Sequence, residues 1–320
     1  MARKPDPIDL RLLSKVSKLY YEQKLTQQEI ADRLRLSRPK VSRLLQQAHE
    51  EGLIQITVLS PVGSYADLEQ ALEQKFGLQE AVVTEVEPSA TQEAISRQIG
   101  IMAAEYLYRT IQDGDVIGIF WGVTLNSMIN ALKPCTTCDV HVVQMVGGLG
   151  PPEAEEHATG LCRRMAQFLN GRLTLLPAPG LVDSAEVREV YLSDSYVRKA
   201  FEMFAHIDVA FLGIGAASPT AWIMQNGVLT HEELQELIEQ GAVGETALHF
   251  FDAQGQLIPS SIEDRLIGIS LEQLKRIPRL VGMAGGHEKH HVIRAALQGG
   301  LINVLITDQL TAQYLLGISA

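Results

Sequence analysis

The sequence predicts an α/β chain in two parts, a small helical domain over residues 1–60 and a larger domain over residues 61–320 built on a mainly parallel sheet. Three observations lead there. Before residue 50, apolar residues recur at helical spacing. From residue 80 onward, short apolar runs alternate with amphipathic stretches. Charge divides the chain at the same place. Net charge over the 320 residues is −11; residues 1–60 carry 11 Lys/Arg against 7 Asp/Glu, a balance of +4, and the other 260 carry 16 against 31, a balance of −15. A uniformly acidic chain avoids nucleic acid, whereas a basic head on an acidic body does not. Hydrophobic residues at 46% and charged residues at 20% exclude general disorder. No apolar run reaches the roughly 18 residues of a membrane helix, so no membrane partner is expected. With no apolar leader segment and only three cysteines, the expected compartment is the cytoplasm.

In the head, Leu12, Leu13, Val16, Leu19 and Tyr20 place a helix over 8–23. Thr26 and Glu29 form a capping box for a second helix, whose apolar face is Ile30, Ala31 and Leu34. Ser37 is the expected cap of a third, with Pro39 in its first turn and Glu51-Gly52 at its end. Residues 54–58 alternate like a strand, and a break near Ser60 marks the boundary. A linker helix is expected over 65–76. Strands are then expected at 81–84, 115–120, 140–146, 172–177, 207–213, 279–284 and 302–307. Helices fall between them at 91–111, 123–132, 154–170, 184–205, 230–240 and 287–298, with a last one at 309–316. Residues 249–258 read as an inserted hairpin.

Leu25 to Leu45 fits a helix-turn-helix. Ala31 is small enough for two helices to cross closely, and Ser37, Arg38, Lys40, Ser42, Arg43 and Gln46 form the outward face of the third helix. Short polar and basic side chains at a helix start can reach base edges in a major groove. Thr26, Gln27 and Gln28 are placed to hold phosphates of the duplex. The turn position often occupied by Gly is Arg35, which tolerates positive φ poorly, so a looser turn is expected.

Open α/β sheets bind ligands beyond the carboxyl ends of their strands, and three loops there suit an anion. Trp121, Gly122, Val123 and Thr124 form the first, where Gly122 permits close approach and Thr124 offers a hydroxyl at a helix start. Gly147 and Gly148 form the second. Gly285, Gly286 and Lys289 form the third, where a cation at a helix start is disfavoured unless an anion joins it. Gly213-Ile-Gly215-Ala-Ala-Ser218 lacks the last Gly of a dinucleotide fingerprint, so no nicotinamide cofactor is expected. Cys135 and Cys138 have no second pair, and His287 and His291 lack an accompanying acidic motif, so no metal is expected either. Trp222 reads as packing, and Trp121 as a wall of the site.

In order, these motifs resemble the SorC family of bacterial sugar-responsive transcriptional regulators, nearly end to end. The resemblance rests on the helix-turn-helix at 25–45, Gly-Val-Thr-Leu (122–125), Leu-Pro-Ala-Pro (176–179), Asp-Val-Ala-Phe-Leu-Gly-Ile-Gly (208–215), Gly-Ala-Val-Gly-Glu (241–245), Phe-Phe-Asp-Ala-Gln-Gly (250–255), Ala-Gly-Gly-His-Glu-Lys (284–289) and Leu-Ile-Thr-Asp (305–308). It implies a Rossmann-like α/β effector-binding domain similar to sugar-phosphate isomerases that senses rather than catalyses. It further implies that Gly122, Val123 and Thr124 hold the effector's phosphate, that Gly147 and Gly148 line the pocket, that Glu245 accepts sugar hydroxyls and that Lys289 pairs with ligand oxygens. The implied partners are double-stranded operator DNA, a phosphorylated sugar and other copies of the chain, commonly in a tetramer. The competing expectation is a sugar-phosphate isomerase with an accessory helical domain, for which Asp252, Glu245 and His249 are conceivable bases.

Overall fold

The computed structural model describes residues 9–54, 65–134, 139–150 and 157–318. The expected strand beyond Ile54, the boundary at Ser60, the Cys135–Cys138 pair and the start of the helix expected at 154 lie outside them. The chain divides into two compact units, residues 1–62 and 63–320.

In the first unit, α1 (Leu10–Ser17) continues through a wider π-type turn over Lys18–Glu22, followed by α2 (Gln27–Leu34) and α3 (Arg38–Glu50). Val16, Leu19, Ile30, Ala31, Val41 and Leu45 close into one apolar core. Removing such side chains from water is what holds so short a bundle together. The capping box forms: Thr26 N donates to Glu29 Oε2 at 2.7 Å and Glu29 N to Thr26 Oγ1 at 3.3 Å. One expectation needs correction. Arg35 does enter the left-handed region (φ 55°, ψ 44°), and Leu36 N donates to Ala31 O at 2.8 Å, so the turn is tight without glycine. Ser37 caps α3 by its backbone alone, its carbonyl accepting from Lys40 N and Val41 N.

The second unit begins with α4 (Ala66–Phe76), β1 (Glu80–Thr84), α5 (Gln92–Thr110), β2 (Val116–Ile119), α6 (Val123–Asn130), β3 (His141–Gln144), α7 (Ala158–Leu169) and β4 (Arg172–Thr174). Then follow α8 (Ala185–Ser193), α9 (Ser195–Glu202), β5 (Val209–Gly213), β6 (Gly215–Ala216), α10 (Trp222–Gln225), α11 (His231–Glu239), β7 (Gly244–Thr246) and β8 (His249–Phe251). The last elements are α12 (Ser261–Arg265), α13 (Leu271–Leu274), β9 (Arg279–Met283), α14 (His290–Gln298), β10 (Val304–Asp308) and α15 (Gln309–Leu316). Seven strands form a parallel sheet in the order β1-β10-β9-β5-β2-β3-β4. Near-continuous apolar runs such as Val304–Ile306 and Val209–Leu212 are buried in it.

Local chemistry moved three expected elements. The single helix expected over 184–205 breaks at Asp194, which is extended and caps α9 through Tyr196 N (2.8 Å) and Val197 N (3.2 Å). The helix expected at 287 opens with a 3-10 turn, His287–Lys289, before α14. The expected hairpin at 249–258 is only half present. Phe251 bridges Leu257, but the main partner of β8 is β7, which with β6 makes a separate three-stranded antiparallel sheet.

Candidate DNA interface and effector site

On the head, Ser37, Arg38, Lys40, Ser42, Arg43 and Gln46 are all exposed. The helical period sets Arg43 and Gln46 opposite the buried Val41, Leu45 and Ala48, with Arg38, Lys40 and Ser42 on the flanks. Arg43 Nε reaches only its own helix, at Pro39 O (3.4 Å), and Gln46 Nε2 reaches Glu50 Oε1 (3.1 Å). These contacts are local and exchangeable for a duplex. At the start of α2 the Thr26 hydroxyl is committed to Glu29. Gln28 bonds Asp32 within the helix. An open groove there is also lined by Tyr20, Tyr21, Lys24 and Arg38. Of these, the sequence places Tyr20 on the apolar face of the first helix and gives Tyr21 and Lys24 no binding role, because they precede the helix that frames the motif.

In the body, the strand order reverses between β2 and β5. From β2 the chain moves on to β3 and β4; β5, β9 and β10 lie on the other side. Such a switch point opens a crevice at the carboxyl edge. The register pairs Ile119 of β2 with Phe211 of β5, and Gly213 of β5 with Met283 of β9. The loops at Gly122, Gly215 and Gly286 therefore leave neighbouring strands at one edge.

The three glycine loops turn out to be unlike. Gly122 has φ 122° and ψ 163°, a region open essentially to glycine alone. It launches α6, which Gly100 lets lie close on α5: a Cβ at Gly100 would stand 2.6 Å from Met128 N. Among the described residues, the N–H groups of Val123, Thr124 and Leu125 have no partner, and neither does the Thr124 hydroxyl, which is not among the buried unpaired atoms and so reaches solvent. In the second loop, Gly147 N donates to Ile267 O and Gly148 N to Ala178 O, both at 2.9 Å. A Cβ at Gly147 would fall 2.3 Å from Pro179 O. Gly147 is there for close packing against the backbone. In the third, Gly286 N donates to Asp308 Oδ2 (2.8 Å) and Thr311 Oγ1 (3.0 Å), and Gly285 O accepts from Gln92 Nε2 (3.0 Å).

Glu245 and Lys289 converge on the β5–β6 connection. Glu245 on β7 is paired with Gly215, and its Oε2 accepts from Leu248 N at 3.0 Å. Lys289 Nζ donates to Ile214 O at 3.0 Å. Burial pushes the Glu245 carboxyl above its ordinary range, opposed by the Leu248 N–H, by Lys289 and by His249. Burial likewise pulls Lys289 down, opposed by Glu245. Both charges are thus costly where they are buried in the fold. Trp121 is 8% exposed, with its ring 6.2 Å from that of Trp222. The groups proposed as catalytic bases are engaged. His249 bonds Glu263 Oε1 (2.7 Å) and Ile269 O (3.1 Å), and Asp252 Oδ1 accepts from Gln254 N and Gln256 N, both at 2.9 Å. Among the described residues no helix is long and apolar enough to cross a membrane.

The family model for a putative sugar-binding domain matches residues 60–317, and that for a Crp-like helix-turn-helix domain matches residues 10–61. The deoxyribonucleoside regulator of Bacillus subtilis (strain 168) is 34% identical over 305 residues, covering 95% of this chain and 97% of the relative. The sorbitol operon regulator of Klebsiella pneumoniae is 31% identical over 310 residues, covering 96% and 98%. The crystal structure of full-length SorC, the sorbitol operon regulator of K. pneumoniae, superposes with a TM-score of 0.74 at 31% identity, covering 97% of this chain and all of that one. A helix-turn-helix head, a parallel-sheet body whose strand order reverses between β2 and β5, and end-to-end relatives together place this chain in the SorC family of sugar-binding, DNA-binding transcriptional regulators.

Proposed function

We propose that the sugar sensed by this regulator is phosphorylated, and that its occupancy of the body sets the affinity of the head for operator DNA of a carbohydrate-catabolism operon. The observation that carries this reading is the start of α6. Three adjacent N–H groups and the Thr124 hydroxyl lack partners there among the described residues, and the helix dipole adds a partial positive charge. A phosphate supplies the missing acceptors. Glu245 accepts hydroxyls of the sugar, and Lys289 pairs with its oxygens, so a ligand relieves the cost of both buried charges. Gly147, Gly148, Gly285 and Gly286 shape the walls rather than donate. The engagement of Glu245, His249 and Asp252 by internal partners supports sensing without turnover, and the site needs no resident cofactor or metal. Binding that favours one body conformation shifts operator affinity by the difference in ligand affinity between states. A duplex with two half-sites calls for at least a dimer of the chain; the reading extends to a tetramer in the cytoplasm.

The test is a thermal-shift screen of phosphorylated sugars beside their unphosphorylated forms, followed by operator binding with and without the hit. A phosphorylated sugar is expected to stabilise the body and to change operator affinity at least several-fold. Equal stabilisation by the unphosphorylated form would overturn the phosphate assignment.

A further inference from the structure

The chain holds two tryptophans, and the fold brings both to the carboxyl edge of the sheet. Trp121 leaves β2 just ahead of Gly122. Trp222 opens α10 in the connection that leaves β5 past Gly215. Their ring centroids lie 6.2 Å apart with planes 34° apart. Gly150, in the loop after β3, lies against Trp222: a Cβ there would stand 3.5 Å from the Cη2 atom. Loops from three neighbouring strands therefore meet at one aromatic pair. Trp121 is nearly buried and Trp222 half-buried. Neither indole N–H has a partner among the described residues, and neither is among the buried unpaired atoms, so both reach solvent.

The spacing decides how such a pair can be used. A sugar ring between two aromatic faces needs roughly 7–8 Å, twice the contact distance of about 3.5–4.0 Å. The observed 6.2 Å admits no ring. The pair is one wall, with Trp121 as its backing and Trp222 as its open face. The groups with polar chemistry, Glu245 and Lys289, gather on the β5–β6 connection, from which the chain runs on to Trp222. A closed sugar ring matches this set of surfaces, with hydroxyls at its edge and a flat C–H face.

We infer that the effector binds as a closed ring with its C–H face on Trp222, and that Trp222 sets selectivity for cyclic over open-chain sugar phosphates. An open chain has no such face and loses more internal freedom on binding. The inference rests on the phosphate reading of α6, and its test separates the two. Thermal shift and tryptophan fluorescence would be titrated with inorganic phosphate, with pentose and hexose monophosphates, and with the alditol phosphates made from each by borohydride reduction. The alditols keep the carbon chain, the hydroxyls and the phosphate but cannot close. The wild-type protein should bind its best sugar phosphate at least about tenfold more tightly than the matching alditol. Trp222→Ala should remove that ratio while leaving inorganic phosphate binding unchanged, and Trp222→Phe should keep most of it. Equal binding of sugar and alditol, or an unchanged ratio in Trp222→Ala, would overturn the inference. Phosphate binding with no gain from any sugar would sink the wall and leave the α6 reading standing. Binding of none of the three would sink both.

Discussion

Substituting Gly122 by alanine isolates backbone conformation from packing. An added Cβ would meet nothing within 4 Å, so no steric clash enters. The whole cost is the backbone at φ 122°, ψ 163°, about 1–3 kcal/mol for a residue other than glycine. Alanine recovers about 0.4–1 kcal/mol by restricting the unfolded chain. The net loss is at most roughly 2.6 kcal/mol. For a domain of this size about 2–4 °C accompanies each kcal/mol, so the melting temperature of the body should fall by up to roughly 10 °C. The same strain should swing the N–H groups of Val123, Thr124 and Leu125 away from a common focus, abolishing stabilisation by inorganic phosphate. Gly160 is the matched control. It also has open space around its Cβ but is helical, within α7. Gly160→Ala should therefore raise stability by about 0.5–1 kcal/mol. Differential scanning fluorimetry with and without millimolar phosphate reads both. A Gly122→Ala protein as stable and as phosphate-responsive as the wild type would refute the reasoning.

Arg43→Ala should weaken operator binding by about 1–3 kcal/mol, roughly 5- to 150-fold, and leave effector-induced thermal shifts intact; fluorescence anisotropy with a labelled duplex checks it, and an unchanged affinity would remove Arg43 from the interface. Arg35→Gly should stabilise the head by about 0.5–1 kcal/mol, since it relieves a left-handed L-residue at some cost in unfolded-chain entropy; a lower midpoint in denaturant titration of the head would contradict the geometry. Glu245→Gln keeps an oxygen for the Leu248 N–H but removes the buried charge. Because the folded pKa is raised, what Glu245 contributes to stability is complete below its unfolded value near 4.5 and is lost as pH rises through the folded one. The ligand-free variant should thus gain on the wild type more at pH 8 than at pH 5, while losing sugar affinity. A gap that stays the same at both values would count against the burial argument.

The head was legible because its signals are local. The Thr26–Glu29 box, the apolar frame from Ile30 to Leu45 and the basic face of α3 each depend on residues within a few turns of one another. The turn was misjudged for a tertiary reason. Leucines and alanines packed on both sides fix the crossing of α2 and α3, and Arg35 takes up the positive φ that this demands. The alternating body was legible too, since a strand buried on both faces must read as an apolar run. The break at Asp194 and the true partner of β8 were not. The first needs one side chain to outbid helix continuation, and the second needs a strand of three residues whose pattern is too short to show.

Sequence by itself determined that there are two domains of opposite charge, that one reads DNA, and that glycine loops end three strands of the other. It did not determine which loop can hold an anion. An N–H group is free only if nothing else in the fold accepts from it. The competing acceptors come from far along the chain: Asp308 and Thr311 for Gly286, Ile267 for Gly147, Ala178 for Gly148. Only the tertiary structure brings them in, and it leaves the start of α6 unclaimed among the described residues. The same holds for Trp222, a packing residue by sequence, which meets Trp121 because β2, β3 and β5 end side by side.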